Sequence, residues 1–208
     1  MRLEQIETGL GPFKRLVLRV IGVIMGEEPP DILKLALYRS QFFAKPFEAI
    51  NKKLLGGPSD WSVAEREMFA AFVSRQNQCA FCIGSHSALA AWALDDQSLV
   101  RAVLDDWRSA PVDAKVMATL GFLEKLNAHP DKITTTDINA LRAAGVGDEA
   151  IGDVIYICSQ FNLINRIVDA LDLNIPSEQT FTRFAAPSLP LAGLRRRRLA
   201  GRRVTPQH

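Results

Sequence analysis

Residues 65–86 read EREMFAAFVSRQNQCAFCIGSH, and the fold turns on how this stretch is divided. Met68–Val73 (MFAAFV) is apolar and helix-forming, and so is the run that begins at Cys79. Between them Arg75, Gln76, Asn77 and Gln78 form a polar interruption. A polar stretch between two apolar helical runs predicts a helix, a break and a second helix, with Cys79 near the new start. Cys79, Cys82 and His86 are then three and four residues apart on one helix and share a face.

Two cysteines and a histidine at that spacing admit several chemistries. Haem attachment needs CxxCH, and the residue after Cys82 is Ile83, which excludes it. Structural zinc needs four ligands, and these residues supply three. Cys158 could be a fourth only if its apolar helix turned a sulfur toward the cluster, whereas a catalytic zinc with one open position needs no fourth. A redox pair uses the same atoms. Two thiols one turn apart can close a disulfide when one lies at a helix N-terminus, where the backbone can adjust. Unsatisfied N–H groups there favour the thiolate, and a histidine one turn beyond Cys82 can relay its proton. A plain packed helix with two buried thiols is the remaining reading.

The rest of the chain reads as helices, and the fold class is all-α. Apolar residues recur at three and four, as in Val116, Leu120, Leu123 and Leu126, or Ile151, Val154, Ile155, Cys158 and Phe161. Breaks fall at Gly26–Asp31, Gly56–Asp60, Ala128–Lys132, Gly145–Asp148 and Ile175–Ser177. Ser62 and Glu65 have capping-box spacing and start a helix after Trp61. Thr136 is expected to start another helix, and Asp148 to cap the one that follows Gly147. Gly145–Gly147 has no strand before it and no GK[ST] after it, so it is a helix end and turn rather than a phosphate loop.

The chain holds 208 residues, 48% hydrophobic and 23% charged, with three cysteines and a formal charge of +2. An odd cysteine count is a poor disulfide framework, and a cytoplasmic, reducing setting is the expectation. Six arginines lie between Arg195 and Arg203, and without them the chain has 19 basic and 23 acidic residues. The cluster reads as a solvated C-terminal tail, and without interleaved aromatics it does not argue for nucleic acid. The apolar run Phe13–Met25 is cut by Lys14, Arg15 and Arg19 and is shorter than the roughly 20 residues of a membrane span. It reads as an amphipathic helix packed on the body or on a partner subunit, with no membrane partner and no targeting segment expected.

Glu67 stands twelve residues before Cys79, and the joint pattern Glu67, Cys79, Cys82, His86 resembles the signature of the alkylhydroperoxidase D-like proteins, within the larger carboxymuconolactone decarboxylase group. The later FNLINRIVDAL, residues 161–171, is similar to the FNxxNRxxDAL segment of peroxidase-related members, and the resemblance spans residues 30 to 175. In one unbroken helix Glu67 and Cys79 would lie roughly 18 Å apart, so their cooperation requires the break at Arg75–Gln78. The resemblance implies an alkylhydroperoxidase D-like helical domain at 31–176, with an N-terminal helical extension at 1–30 and a C-terminal extension at 177–208. It implies a thiol-dependent hydroperoxide reductase with Cys82 as peroxidatic thiol and Cys79 as the more exposed resolving thiol. Glu67 and His86 would be the proton relay. The redox-active disulfide Cys79–Cys82 would stand in place of any cofactor or metal. A small hydroperoxide, an external thiol or dithiol reductant protein and a homo-oligomer, trimer or hexamer, are its expected partners. Some members carry a histidine inside the CxxC; here Phe81 stands there, either as an apolar wall for an organic substrate or as core.

Asn162, Asn165 and Arg166 are polar on an apolar helix, and Asn162 and Arg166 are one turn apart. They read as a buried polar network or subunit contact, with substrate binding or orientation of Glu67 as the functional alternative. Asp169, three beyond Arg166, is expected to pair with it. A decarboxylase-group enzyme on a small carboxylic or lactone substrate would instead depend on Glu67, His86 and Arg166 and survive loss of both thiols. A non-enzymatic redox sensor or metal module is the third reading. Cys158 is expected to be buried, His129 exposed, and Trp61, Trp92 and Trp107 to be packing anchors.

Overall fold

The computed structural model describes residues 1–41 and 45–188, and the arginine cluster Arg195–Arg203 and His208 lie outside the described residues. Those residues form eleven α-helices and one 3-10 turn, with no strand among them. The helices are α1 (Glu4–Thr8), α2 (Pro12–Met25), α3 (Asp31–Tyr38), α4 (Lys45–Gly56), α5 (Val63–Gln76) and α6 (Ala80–Leu94). They continue as α7 (Gln97–Asp106), α8 (Ala114–Ala128), α9 (Thr135–Ala143), α10 (Asp148–Leu171) and α11 (Glu178–Ser188).

The architecture is organised around α5. Every residue from Ala64 to Ser74 is buried, so this helix has no solvent face. Its apolar side chains fill the core between α6, α8 and α10, and its charged Glu65, Arg66 and Glu67 are buried with hydrogen-bond partners. Met68, Phe69, Phe72 and Val73 are essentially inaccessible, and burying each such side chain is worth about 1.5–3 kcal/mol. Trp61, just before α5, stacks edge-on against Phe69 at 4.9 Å and donates its indole N–H to the Ala150 carbonyl at 2.9 Å. That contact joins the start of α5 to the start of α10. Arg66, also buried, donates from Nη1 to the carbonyls of Leu54 and Gly57, both at 2.9 Å, and so holds the end of α4.

Helix starts follow local chemistry, with two shifts from expectation. Ser62 caps α5: its Oγ accepts from the Glu65 N–H, and the Glu65 carboxylate accepts from the Ser62 N–H at 2.7 Å. α9 starts two residues earlier than the Thr136 reading, because Thr134 and Asp137 form the capping box there. Asp148 is not the cap of α10 either. Gly147 is the N-cap, and Asp148 sits in the first turn, where its charge complements the helix dipole and its carboxylate accepts from Arg142.

The terminal extensions share the central core. Ile6 of α1 and Phe181 of α11 are buried in the same apolar cluster as Phe72 and Phe161. The Arg2 guanidinium donates to the carbonyls of Asp169 and Ala170 at the end of α10, a favourable place for a cation. Helix α2 differs. Phe13, Leu16, Val20, Val23 and Ile24 form an exposed apolar stripe, while Leu18 on the same helix is buried.

Replacing Ser62 with Ala removes one half of the capping box and leaves the start of the central helix unpaired. The expected loss is about 1 kcal/mol of stability, read as a lower urea midpoint with an unchanged slope.

Candidate active site

Helix α5 ends at Gln76, and three hydrogen bonds turn the chain back. Asn77 N–H donates to Val73, Gln78 N–H to Arg75 and Cys79 N–H to Ser74, at 3.0, 3.1 and 3.0 Å. Gln78 takes a left-handed backbone, φ 61°, which makes the reversal tight. Cys79 then occupies the N-cap position of α6. The sequence reading places a break at Arg75–Gln78 with Cys79 at a helix start; the structure shows the helix start but narrows the break, because Arg75 and Gln76 are still helical and the chain turns at Asn77 and Gln78.

The reversal brings Glu67 to His86. Glu67 Oε2 and His86 Nδ1 are 2.6 Å apart, with the carboxylate buried and the ring nearly so. The imidazole is also held edge-on against Phe161 at 4.6 Å. Ring position and ring-nitrogen environment are thus fixed from α5 and α10 together.

Cys82 and His86 face one cavity of about 280 Å³. Its walls are apolar and drawn from five helices and the segment after α10: Ile32 and Leu33, Phe47, Phe81, Phe161 with Ile164, Pro176, and Phe181. Asn51 and Ser85 are the further polar residues of the lining. Phe81, expected as either wall or core, is both: it lines the cavity and belongs to the buried cluster. Cys79 does not line this cavity. It is fully buried, where the resemblance implied the more exposed of the two thiols, with Asp169 of α10 beside it.

The two sulfurs, both free thiols, behave as a pair. The Cys82 thiol donating to Cys79 is the largest influence on Cys79 and lowers its pKa, helped by the Cys82 backbone N–H; burial and the Asp169 carboxylate work against it. Cys82 is raised, first because it gives its hydrogen to Cys79, then by burial and by the charge on Cys79, while Asn165 favours its thiolate. One negative charge is stabilised by an S–H···S bond, and a second is resisted by the first.

Asn165 belongs to a chain of carboxamides with a single direction. Arg166 Nη1 donates to Asn162 Oδ1 (2.8 Å), Asn162 Nδ2 to Asn127 Oδ1, Asn127 Nδ2 to Asn77 Oδ1 (2.9 Å), and Asn77 Nδ2 to Asn165 Oδ1 (2.9 Å). Asn165 Nδ2 then donates to Ser74 Oγ at 3.1 Å. The chain ties α8 and α10 to the α5–α6 turn, so the buried polar groups satisfy one another. Asn162 and Arg166 do share a face, but neither they nor Asn165 touch Glu67, and none of the three lines the cavity. Arg166 bonds to Asn162 rather than to Asp169, whose carboxylate lies instead beside Cys79. Cys158 is buried, raised to about 11 chiefly by burial, and accepts from Asn162 Nδ2 at 3.5 Å.

Ser74 and Asn127 in the hydrogen-bonded chain, and Phe47, Asn51 and Phe181 at the cavity, were not marked by sequence spacing, and Asp169 was marked only as a partner for Arg166. Asn77 was visible there only as part of a polar break. His129 is exposed and Trp61 is a packing anchor, whereas Trp92 is partly exposed. No group of three or more His, Cys, Asp or Glu among the described residues is arranged to hold a metal ion. No helix among them is long and apolar enough to cross a membrane.

No protein-family model matches the chain. No curated protein matches it either. Solved structures do. An uncharacterized peroxidase-related protein from Silicibacter sp. TM1040 aligns with a TM-score of 0.71 and 28% identity, over 81% of this chain and 87% of that one. A second, an alkylhydroperoxidase AhpD core described as an uncharacterized peroxidase-related protein from Ralstonia eutropha JMP134, gives 0.70 and 24%, over 84% and 90%. A cysteine-to-alanine variant of the debrominase Bmp8, in complex with 2,3,4-tribromopyrrole, gives 0.64 and 18%, over 85% and 91%, a likeness of fold.

A thiolate absorbance titration should resolve the pair: one cysteine ionising below the ordinary thiol range and the others above it. Cys82→Ala removes the strongest influence lowering Cys79, so the first step should move to higher pH. Cys158→Ser should leave that step where it is. A single transition at the ordinary thiol position in the native protein would contradict the pairing.

Proposed function

We propose that this chain, which has the alkylhydroperoxidase D-like fold, is a thiol-dependent reductase of organic hydroperoxides. One observation carries the reading: Cys82, with Cys79 bonded to its sulfur, opens onto an apolar cavity beside a histidine fixed by a buried glutamate. The nucleophile, its resolving partner, a proton relay and an apolar seat for an organic group stand within one helix hairpin and its neighbours.

Access decides which sulfur meets the substrate. Cys79 carries the more favourable charge, yet Cys82 is the one that lines the cavity. Passing the Cys82 hydrogen across the S–H···S bond places the thiolate at the cavity wall. That thiolate attacks the terminal oxygen of the hydroperoxide and the O–O bond breaks. The sulfur becomes a sulfenic acid, and the leaving alkoxide takes a proton from the His86–Glu67 pair to depart as alcohol. Cys79, which received that hydrogen, then attacks the Cys82 sulfur and closes the disulfide, and the sulfenic oxygen leaves with the Cys79 proton as water. An external dithiol then returns two electrons and two protons. Because Cys79 is fully covered, that exchange requires the first turn of α6 to open. The exposed stripe on α2 supports assembly of the chain with copies of itself.

The four phenylalanine rings at the cavity, Phe47, Phe81, Phe161 and Phe181, also favour a second reading, removal of halogen from a flat aromatic ring. There Cys82 would take the halogen from the ring carbon as sulfenyl halide, the carbon would take a proton, and Cys79 would expel halide as the disulfide forms. The decarboxylase-type reading fares less well, because its expected cation, Arg166, is outside the cavity and bound to Asn162.

One equivalent of cumene hydroperoxide should remove two of the three free thiols and two hydrogens of mass, and Cys82→Ser should abolish both changes. His86→Gln should slow thiol oxidation by about 10²–10⁴-fold, the usual contribution of a positioned acid–base group. Cys158→Ser should oxidise as the parent does. Three unchanged thiols would overturn the reading, and halide release from a bromopyrrole without peroxide reduction would favour the second.

A further inference from the structure

Helix α6 has a cavity on each of two sides. On one lies the 280 Å³ site with Phe81, Cys82, Ser85 and His86. On the other is a groove of about 720 Å³ lined by Ala80, Ile83, Gly84 and Ser87 of the same helix, together with α7 and α11. Among the described residues, Pro176 and Phe181 line both. Phe181 projects from α11 across α6, meets Phe81 edge-on at 5.7 Å, and is nearly buried. The crossing is close because residue 84 is glycine: a Cβ there would stand 2.4 Å from Phe181 Cε2.

We propose that Phe181 is the specificity-determining partition of the active site. Its ring, seated on Gly84, closes the end of the Cys82 cavity and limits it to a compact organic group; without it the cavity runs on into the groove beyond α6. The volume supports this. A cavity of 280 Å³ is at the small end of ligand pockets, which run roughly 300–1,000 Å³, whereas the groove behind the ring would hold an extended chain. The ring is also fixed from both sides of its place in the chain: helix α11 is anchored at its first turn, through Glu178 with Gln97 and Arg101 and through Thr180 with Glu27, and Ala185, one turn beyond Phe181, is buried. The substrate class named here, compact over long-chain hydroperoxide, rests on the hydroperoxide reading above; the partition itself does not.

The test uses two readouts on the full chain. In the first, calorimetry compares binding of two unreactive alcohols, cumyl alcohol as the compact probe and ricinoleic acid as the long-chain one. In the second, kcat/KM is compared for cumene hydroperoxide and linoleic acid hydroperoxide. Native protein should favour the compact member of each pair. Phe181→Ala should shift both ratios toward the long member by about tenfold or more, the scale on which an apolar pocket discriminates by size. Gly84→Ala keeps the ring but displaces it, and should shift both ratios the same way by a smaller factor. Unchanged ratios in whichever variant remains folded by circular dichroism would overturn the partition. A shifted alcohol ratio with no hydroperoxide consumed by any form would uphold the partition and overturn the hydroperoxide reading.

Discussion

Gln78 holds a left-handed backbone conformation, and the site depends on the chain staying there. For a residue with a Cβ that conformation costs of the order of 1 kcal/mol or more, so its surroundings must enforce it. They do so from three directions. Backbone bonds from Asn77, Gln78 and Cys79 close the turn onto the end of α5, the Asn77 side chain is gripped between Asn127 and Asn165, and the buried α5 and α6 faces pack on either side. A straight continuation would have carried Cys79 about 18 Å along the axis from Glu67. The tight reversal instead places the Glu67 carboxylate against His86, a residue nineteen positions later in sequence.

Burial of this much polarity has a consequence for the thiols. A thiolate taken out of water is penalised unless nearby groups replace its solvation. Here the replacements are few and directional: the S–H of the partner, one backbone N–H, and the carboxamide of Asn165. The carboxamide chain that ends at Asn165 begins at the Arg166 cation, and each donor in it is polarised by the one before. The surface arginine thus bears on the thiols through the chain rather than through contact with a substrate. Asp169 acts in the opposite sense, against charge on either sulfur, and so keeps the pair from holding two charges at once.

Legibility in the sequence followed distance along the chain. The capping box at Ser62, the break before Cys79 and the shared face of Cys79, Cys82 and His86 are short-range features, and each could be read from spacing and residue type. The meeting of Glu67 with His86 was readable one step further, because the break made it geometrically possible and the resemblance gave it a reason. Phe47, Asn51 and Phe181 were not readable, since the cavity gathers them from α4 and α11, where each looks like any apolar or polar helix residue. Helical spacing misled once. Asp169 stands at i+3 from Arg166, yet the arginine turns back toward Asn162, and the aspartate, near the end of α10, reaches toward Cys79. Thr134 and Gly147 displaced the expected caps by one or two residues because either neighbour could have supplied the first-turn chemistry.

On the proposed reading, the two halves of the thiol cycle would fall on different sides of the same helix start. Cys82 looks into an apolar, ring-lined cavity, which would suit attack on an organic substrate. Cys79, the N-cap of α6, lies outside that cavity as a free thiol whose ionisation is coupled to that of Cys82. A reductant entering the cavity would not meet Cys79 there, since Cys79 is buried and does not line it. The turn is also the strained element, built on a left-handed Gln78 and a helix N-terminus whose first amides have no intrahelical partners. Closing a disulfide across Cys79 and Cys82 would change the first turn of α6 at that point.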